Sequence, residues 1–300
     1  MALVRWNKHL LNFALRVGFP GWIAQDLASR QISGMALRLK KGTLLVATPK
    51  ALLRYASNEK AVNRLRRELE GWQRMGAAGF GTLIPRSMEM RNISPERAIL
   101  SSEMLSPIPR EEHMPYMLPV VRVLHARADV RTEQDLPGSV EGGLALARQV
   151  LGGELPASFM TEAELAGCFR QPLRRGYSHA DLHWRNVMRR REEPVLVDLK
   201  KCSDNRVLAL DILNMACQTM ATLHGGNVLS QSFRGQSSNW SEPALAELIT
   251  LVDLPRAHWG PLYVLHALGL HALRHGGTPN AASAALFRKL LNRDWRLRSS

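Results

Sequence analysis

Residues 177–201 read Tyr177-Ser-His179-Ala180-Asp181-Leu-His183-Trp-Arg185-Asn186-Val-Met-Arg-Arg-Arg-Glu-Glu-Pro-Val195-Leu196-Val197-Asp198-Leu-Lys200-Lys201. Asp181 follows His179, Asn186 comes five residues after Asp181, and Asp198 ends the apolar run 195–197. Phosphoryl transfer needs a carboxylate to orient and deprotonate a hydroxyl, and oxygen ligands to hold magnesium on the phosphates. Magnesium takes hard oxygen donors and only one or two carboxylates from a protein. Asp198 and Asn186 can supply that set, which leaves Asp181 as the base. A lone His-x-Asp is a weak signal. The longer pattern, with an Asn and then an apolar strand ending in Asp, is a specific one.

The stretch resembles the catalytic loop and metal-binding strand of the protein kinase-like phosphotransferases, in the aminoglycoside phosphotransferase and choline kinase branch. Their loop, of the form HGDLHxxN, stands here as His179-Ala180-Asp181-Leu182-His183-Trp184-Arg185-Asn186, with Ala180 in the glycine position. The resemblance implies an α+β fold of two lobes. The smaller is β-rich with one main helix, and the larger is mostly α-helical. It implies ATP and Mg2+ as cofactors, Asp181 as catalytic base, and Asn186 and Asp198 as metal ligands. It also implies that Asp211 steadies the catalytic loop, although an acid there equally suits the first turn of a helix.

Upstream, the pattern alternates as strands do. Runs at 35–40, 43–47 and 51–56 are separated by Lys41-Gly42 and Pro49-Lys50, and a strand pair is expected near 84–90 and 98–102. Between them, Val62, Leu65, Leu69 and Trp72 share one helical face over 58–75. In the family a Lys on the third strand meets the nucleotide phosphates and pairs with a Glu from the helix. By position these are Arg54 and Glu68, so an Arg replaces the Lys; the two differ in reach and hydration. No glycine-rich phosphate loop is evident. Glu103, Met104 and Leu105 follow the last of these strands, and the resemblance makes their backbone the hinge that bonds adenine. The expected domains are 1–104, with an amphipathic helical extension at 1–30 and the nucleotide-binding lobe at 31–104, and a helical lobe at 105–300.

Helices are further expected at 117–125, 140–151, 161–170, 212–223, 243–252, 261–275 and 281–297, with a polar loop at 224–243. After Asp198 the Phe-Gly of protein kinases is replaced by Leu199-Lys200. Only residues 200–210 separate Asp198 from Asp211, and no Ala-Pro-Glu follows. That gap is too short for a peptide platform, which points to a hydroxyl of a small molecule or glycan as acceptor.

The net charge of +14 favours an anionic partner. The basic balance of the large lobe argues against a polycationic aminoglycoside as acceptor. The clusters Arg64-Arg66-Arg67, Arg174-Arg175 and Arg189-Arg190-Arg191 read mainly as solvated faces, and no nucleic-acid-binding signature accompanies them. Residues 3–17 carry Leu3, Trp6, Leu10, Phe13 and Val17 at helical steps among basic residues. Such a helix packs on the small lobe or rests on an anionic membrane surface. With the Asp198-Leu199-Lys200-Lys201 ending, which resembles that of lipopolysaccharide sugar kinases, this gives one alternative, a lipopolysaccharide or lipid-linked sugar kinase at the membrane face; Arg54 and the missing glycine loop give another, a catalytically inactive pseudokinase module. Three cysteines without metal spacing fit a reducing cytoplasm. The N-terminal apolar residues are broken by Arg5, Lys8 and Arg16, so no signal peptide is expected. His266, His271 and His275 lack the partners of a zinc motif and read as structural. The acceptor, the choice of ATP or GTP and the oligomeric state are not encoded in any motif.

Overall fold

The computed structural model describes residues 21–30, 36–40, 43–109, 112–132, 135–224, 243–275, 279 and 281–292. The helix expected at 3–17 and most of the loop expected at 224–243 lie outside them. The chain forms two compact units. One combines residues 1–109 with 186–202, and the other 110–185 with 203–300.

The first unit is built on a five-stranded antiparallel sheet of order β1-β2-β3-β5-β4: β1 Ala36–Lys40, β2 Thr43–Ala47, β3 Ala51–Ala56, β4 Met88–Ser94 and β5 Arg97–Glu103. Thr48 closes the β2–β3 turn: its amide and hydroxyl both donate to the Ala51 carbonyl, and its hydroxyl accepts from the Ala51 amide. Side chains alternate between the two faces of a strand, and both faces of this sheet are covered. On one, Leu44, Val46, Leu53, Tyr55 and Ile99 pack on Ile23 and Leu27 of helix α1 (Gly21–Ser29). The Tyr55 hydroxyl donates to Asp26 at 2.7 Å and ties α1 to β3. On the other, Ala56, Met88, Ala98 and Leu100 meet Ala61, Val62 and Leu65 of helix α2 (Glu59–Ala77). Asn58 caps α2 by accepting from the Ala61 amide at 2.8 Å. The expected strand at 84–90 begins only at Met88. Trp72 of α2 donates from Nε1 to the Pro85 carbonyl, at 2.6 Å, on the segment before it.

A hairpin of β9 (Val187–Arg190) and β10 (Glu193–Leu196) also belongs to this unit, and β9 pairs with β6 (Ser106–Pro107). Its two-residue turn has Arg191 at φ 53°, the sign that tight hairpin turns require. A boundary drawn at 104/105 leaves this hairpin with the helical part. The bonds of Arg190 to Glu103 and the packing of the turn at Leu199 on α2 are what carry it to the β-rich unit.

The second unit holds helices α3 His113–Ala126, α4 Gly138–Leu151, α5 Glu162–Arg170, α6 Leu208–His224, α7 Pro243–Thr250, α8 Trp259–His275 and α9 Ala281–Leu291. A small antiparallel sheet accompanies them, of order β11-β8-β7 with β7 Asp129–Arg131, β8 Leu173–Ser178 and β11 Ser203–Val207. Helix α5 opens with a capping box in which Thr161 and Glu164 satisfy each other's backbone N–H groups. Helices α4 and α8 cross with backbones in contact. A Cβ on Gly143 would overlap the Leu265 carbonyl, and one on Gly269 the Ser139 carbonyl. Helix α6 is buried almost throughout from Leu208 to Met220, with Cys217 at its centre. No helix among the described residues is long and apolar enough to cross a membrane.

Candidate active site

In the first unit the β9–β10 hairpin brings Asn186 and Asp198 to its open end. Val187 pairs with Leu196, and the next rung is a 2.9 Å bond from the Val197 amide to the Asn186 carbonyl. Asn186 is 7% exposed. Asp198 follows one residue later in the left-handed region, at φ 62° and ψ 47°, and leads a 3-10 turn over Leu199–Lys201. Asp tolerates that conformation better than most side chains.

The turn rests on α2. Gly71 meets it so closely that a Cβ there would overlap the Leu199 carbonyl. Arg74 donates to the Cys202 carbonyl at 3.1 Å. One turn before Gly71, Glu68 of the same helix accepts from Arg54 of β3 at 2.6 Å. Glu68 is buried and the Arg54 side chain is 13% exposed. The Arg54 Nε is buried without a hydrogen-bond partner among the described residues. Thus α2 supports both the Asp198 turn and the Arg54–Glu68 pair. The donor set at the hairpin mouth is one amide oxygen and one carboxylate, hard oxygens of the kind magnesium takes. Asp198 already attracts a cation, since the Lys200 ammonium pairs with its Oδ1.

The third strand-end feature is Glu103. Its carboxylate grips Arg190 of β9 through two bonds, Nε–Oε1 at 2.7 Å and Nη2–Oε2 at 2.8 Å, and accepts from the Arg86 amide at 2.8 Å. These bonds to Arg190 hold the Glu103 carboxyl below its ordinary range, against the opposing effect of burial. Arg190 also donates to the Ile84 carbonyl at 2.8 Å. Reading 189–191 as a solvated cluster therefore missed that Arg190 is buried and pins the hairpin; nothing in the local pattern separates it from its neighbours. The Glu103 amide is spent on the Ser87 carbonyl at 3.2 Å. Met104 is 41% exposed, and its backbone makes no hydrogen bond among the described residues.

In the second unit, Asp181 is half-buried in the bend after His179 and Ala180, both fully enclosed. Ala180 sits at φ 56°, which costs a residue with a Cβ about 1–2 kcal/mol. Asp211, in the first turn of α6, holds that conformation. Its Oδ2 accepts from the Ala180 amide at 3.0 Å and from the Ser178 hydroxyl. After Asp181 the loop is braced by aromatic contact: the His113 and Trp184 rings lie 4.3 Å apart, edge to face, and the Arg185 guanidinium stacks 5.0 Å from the Trp184 ring. The Arg185 amide donates to His183 Nδ1 at 3.1 Å. His266 and His271 have protein partners, Ser139 and the Phe287 ring. Among the described residues no three metal-ligating side chains cluster.

Neither family models nor curated proteins matched this sequence. Solved structures did match the fold. A thermostable mutant of aminoglycoside phosphotransferase APH(4)-Ia, in ternary complex with AMP-PNP and hygromycin B, aligns at a TM-score of 0.53 and 11% identity, over 91% of this chain and 97% of that one. ADP-bound aminoglycoside phosphotransferase APH(2'')-Ib aligns at 0.51 and 11%, over 91% and 97%. Choline kinase LicA from Streptococcus pneumoniae aligns at 0.50 and 13%, over 92% and 98%. The chain has the kinase-like phosphotransferase fold. Within it, the sequence pattern of 177–201 falls on two structural pieces: a strained, Asp211-held loop carrying Asp181, and a clamped hairpin presenting Asn186 and Asp198.

Proposed function

We propose that this protein is an ATP- and Mg2+-dependent phosphotransferase acting on a hydroxyl of a small molecule or glycan. The observation that carries the reading is the hairpin mouth. One hydrogen-bonded rung sets Asn186 beside the Asp198 segment, on the helix that also positions the Arg54–Glu68 pair. Asn186 and Asp198 hold the magnesium, which supplies charge neutralisation on the phosphates. Arg54 contacts phosphate oxygens; its pairing with Glu68 and its unpartnered Nε–H support that role. The Met104 backbone offers the adenine contact, with Leu105 beside it, while Glu103 serves through its side chain by pinning Arg190. Asp181 takes the acceptor proton, and His179, buried behind it, supports the loop. Most of the rate then comes from alignment and preorganised charge. The net charge of +14 supports an anionic or glycan acceptor, including a lipid-linked sugar, over a polycationic one.

The test is ATP turnover by purified protein with magnesium across a panel of hydroxyl acceptors, beside Asp181→Ala and Asp198→Ala. Loss of the base is expected to lower kcat about 10²–10⁴-fold, and loss of Asp198 to abolish the magnesium dependence. A wild type that binds no nucleotide sinks the proposal. AMP-PNP binding with no turnover on any acceptor assigns the chain to binding modules instead.

A further inference from the structure

Lys200 stands two residues after Asp198, and its ammonium pairs with the Asp198 Oδ1 inside the first unit. The backbone beneath it is fixed on both sides. Leu199 packs against Gly71 with no room for a Cβ. The Cys202 amide donates back to the Leu199 carbonyl at 3.0 Å, and the Cys202 carbonyl accepts from Arg74 at 3.1 Å. The freedom left is in the side chain, which is 24% exposed against 35% for that of Asp198. Lys200 is therefore one positive charge on a flexible four-carbon stem with a fixed base. It sits on the carboxylate assigned to magnesium.

The charge balance around the turn leaves this ammonium a second task. Asn186 and Asp198 bring one negative charge between them. Arg54 of β3 already has its charge matched by the buried Glu68, at 2.6 Å. A nucleoside triphosphate brings more negative charge than one divalent cation cancels. An ammonium that leaves Asp198 stays tethered to the same turn and is available to phosphate oxygens, with which it forms charge-assisted bonds.

We propose that Lys200 is a tethered counter-ion with two stations. It holds Asp198 while the site is without metal, and it passes to a nucleotide phosphate oxygen once the carboxylate is given over to magnesium. The proposal rests on the phosphotransferase reading and adds to it the residue that sets the magnesium requirement. Partly exposed ion pairs are weak, so the competition at Asp198 is worth about two- to fivefold in metal affinity. Lys200 thus tunes metal binding and does not block it.

The test titrates the full chain with Mn2+ alone, read by the resonance of the free ion, and with AMP-PNP at saturating Mg2+, read by calorimetry. Lys200→Met is expected to bind Mn2+ about two- to fivefold more tightly than wild type and AMP-PNP about tenfold more weakly. Lys200→Arg keeps both values near wild type. So does Arg97→Met, which removes an exposed positive charge at the end of β5 away from Glu103. The opposite signs separate this role from a structural one, in which both affinities fall together. Lys200→Gln gives the same pair of readings should the methionine variant fail to fold, as judged by its melting curve. Mn2+ affinity in the lysine variants that equals or falls below wild type overturns the proposal. So does unchanged AMP-PNP affinity, or an absence of Mn2+ binding in wild type and variants alike. AMP-PNP binding by wild type with either of the first two results leaves the phosphotransferase reading standing. If no chain binds AMP-PNP, that reading fails and the proposed phosphate station with it, while the Mn2+ titration still tests the hold on Asp198.

Discussion

Asp198 and Asp211 are close in sequence and opposite in circumstance. Asp211 is 4% exposed and its Oδ2 takes two donors from the loop in front of it. Asp198 has a side chain 35% exposed, paired with a flexible lysine from its own turn. One carboxylate is spent on holding backbone in a strained shape. The other leads a turn that rests on α2, glycine against backbone, and its Oδ1 pairs with an ammonium. Residue type does not separate the two; the groups their oxygens meet do, backbone and hydroxyl donors for Asp211 and a side-chain cation for Asp198.

Asp211→Ala tests this most severely. It leaves the buried Ser178 hydroxyl without its acceptor and the Ala180 amide with the Ser178 hydroxyl alone, and unfolding free energy is expected to fall by about 3 kcal/mol or more. Asp198→Ala in the same denaturant series is expected to stay within about 1 kcal/mol of wild type. Equal losses in both break the contrast. Next comes Gly71→Ala, which forces a Cβ into the Leu199 carbonyl and costs about 2–3 kcal/mol through overpacking. Magnesium-dependent nucleotide affinity should fall with it, because the turn that Asp198 leads has to move; unchanged affinity shows that Asp198 is positioned by other contacts. The smallest effect is expected from Ala180→Gly. Relief of the left-handed strain, about 1–2 kcal/mol, is offset by the added freedom of the unfolded chain, about 0.4–1 kcal/mol. Stability should hold or rise by up to about 1 kcal/mol, and a fall of that size shows that the Ala180 methyl contributes packing that outweighs its strain.

Much of the fold was legible because it rests on local patterns. The alternation at 43–47 and 51–56, the apolar stripe of 58–75 and the run before Asp198 each correspond to an observed element. The Arg54–Glu68 pair could be named because a strand and a helix were already in place to carry it. What stayed hidden depends on distant partners. Arg190 looks like Arg189 and Arg191 until Glu103 is found opposite it. Gly71 looks like any helical glycine until the turn at Leu199 is packed on it. Strands 173–178 and 203–207 are too polar and broken to announce themselves, and they form because each is the other's partner. Helix α1 was visible only as part of an extension, since what anchors it lies in distant strands: the apolar face that Ile23 and Leu27 cover, and the Tyr55 and Arg91 partners of Asp26.

The composition of the first unit from two separate stretches has a consequence for synthesis. A chain growing from its N-terminus makes residues 1–109 first, and domains generally fold as they emerge. This one cannot finish then. Glu103 waits for Arg190, Gly71 for Leu199, and β6 for β9. By the time Cys202 leaves the ribosome, residues 110–185 have already been made. Residues 1–109 therefore spend that interval with β6 unpaired and the Gly71 face of α2 uncovered, and it is in this interval that chaperones have most to protect.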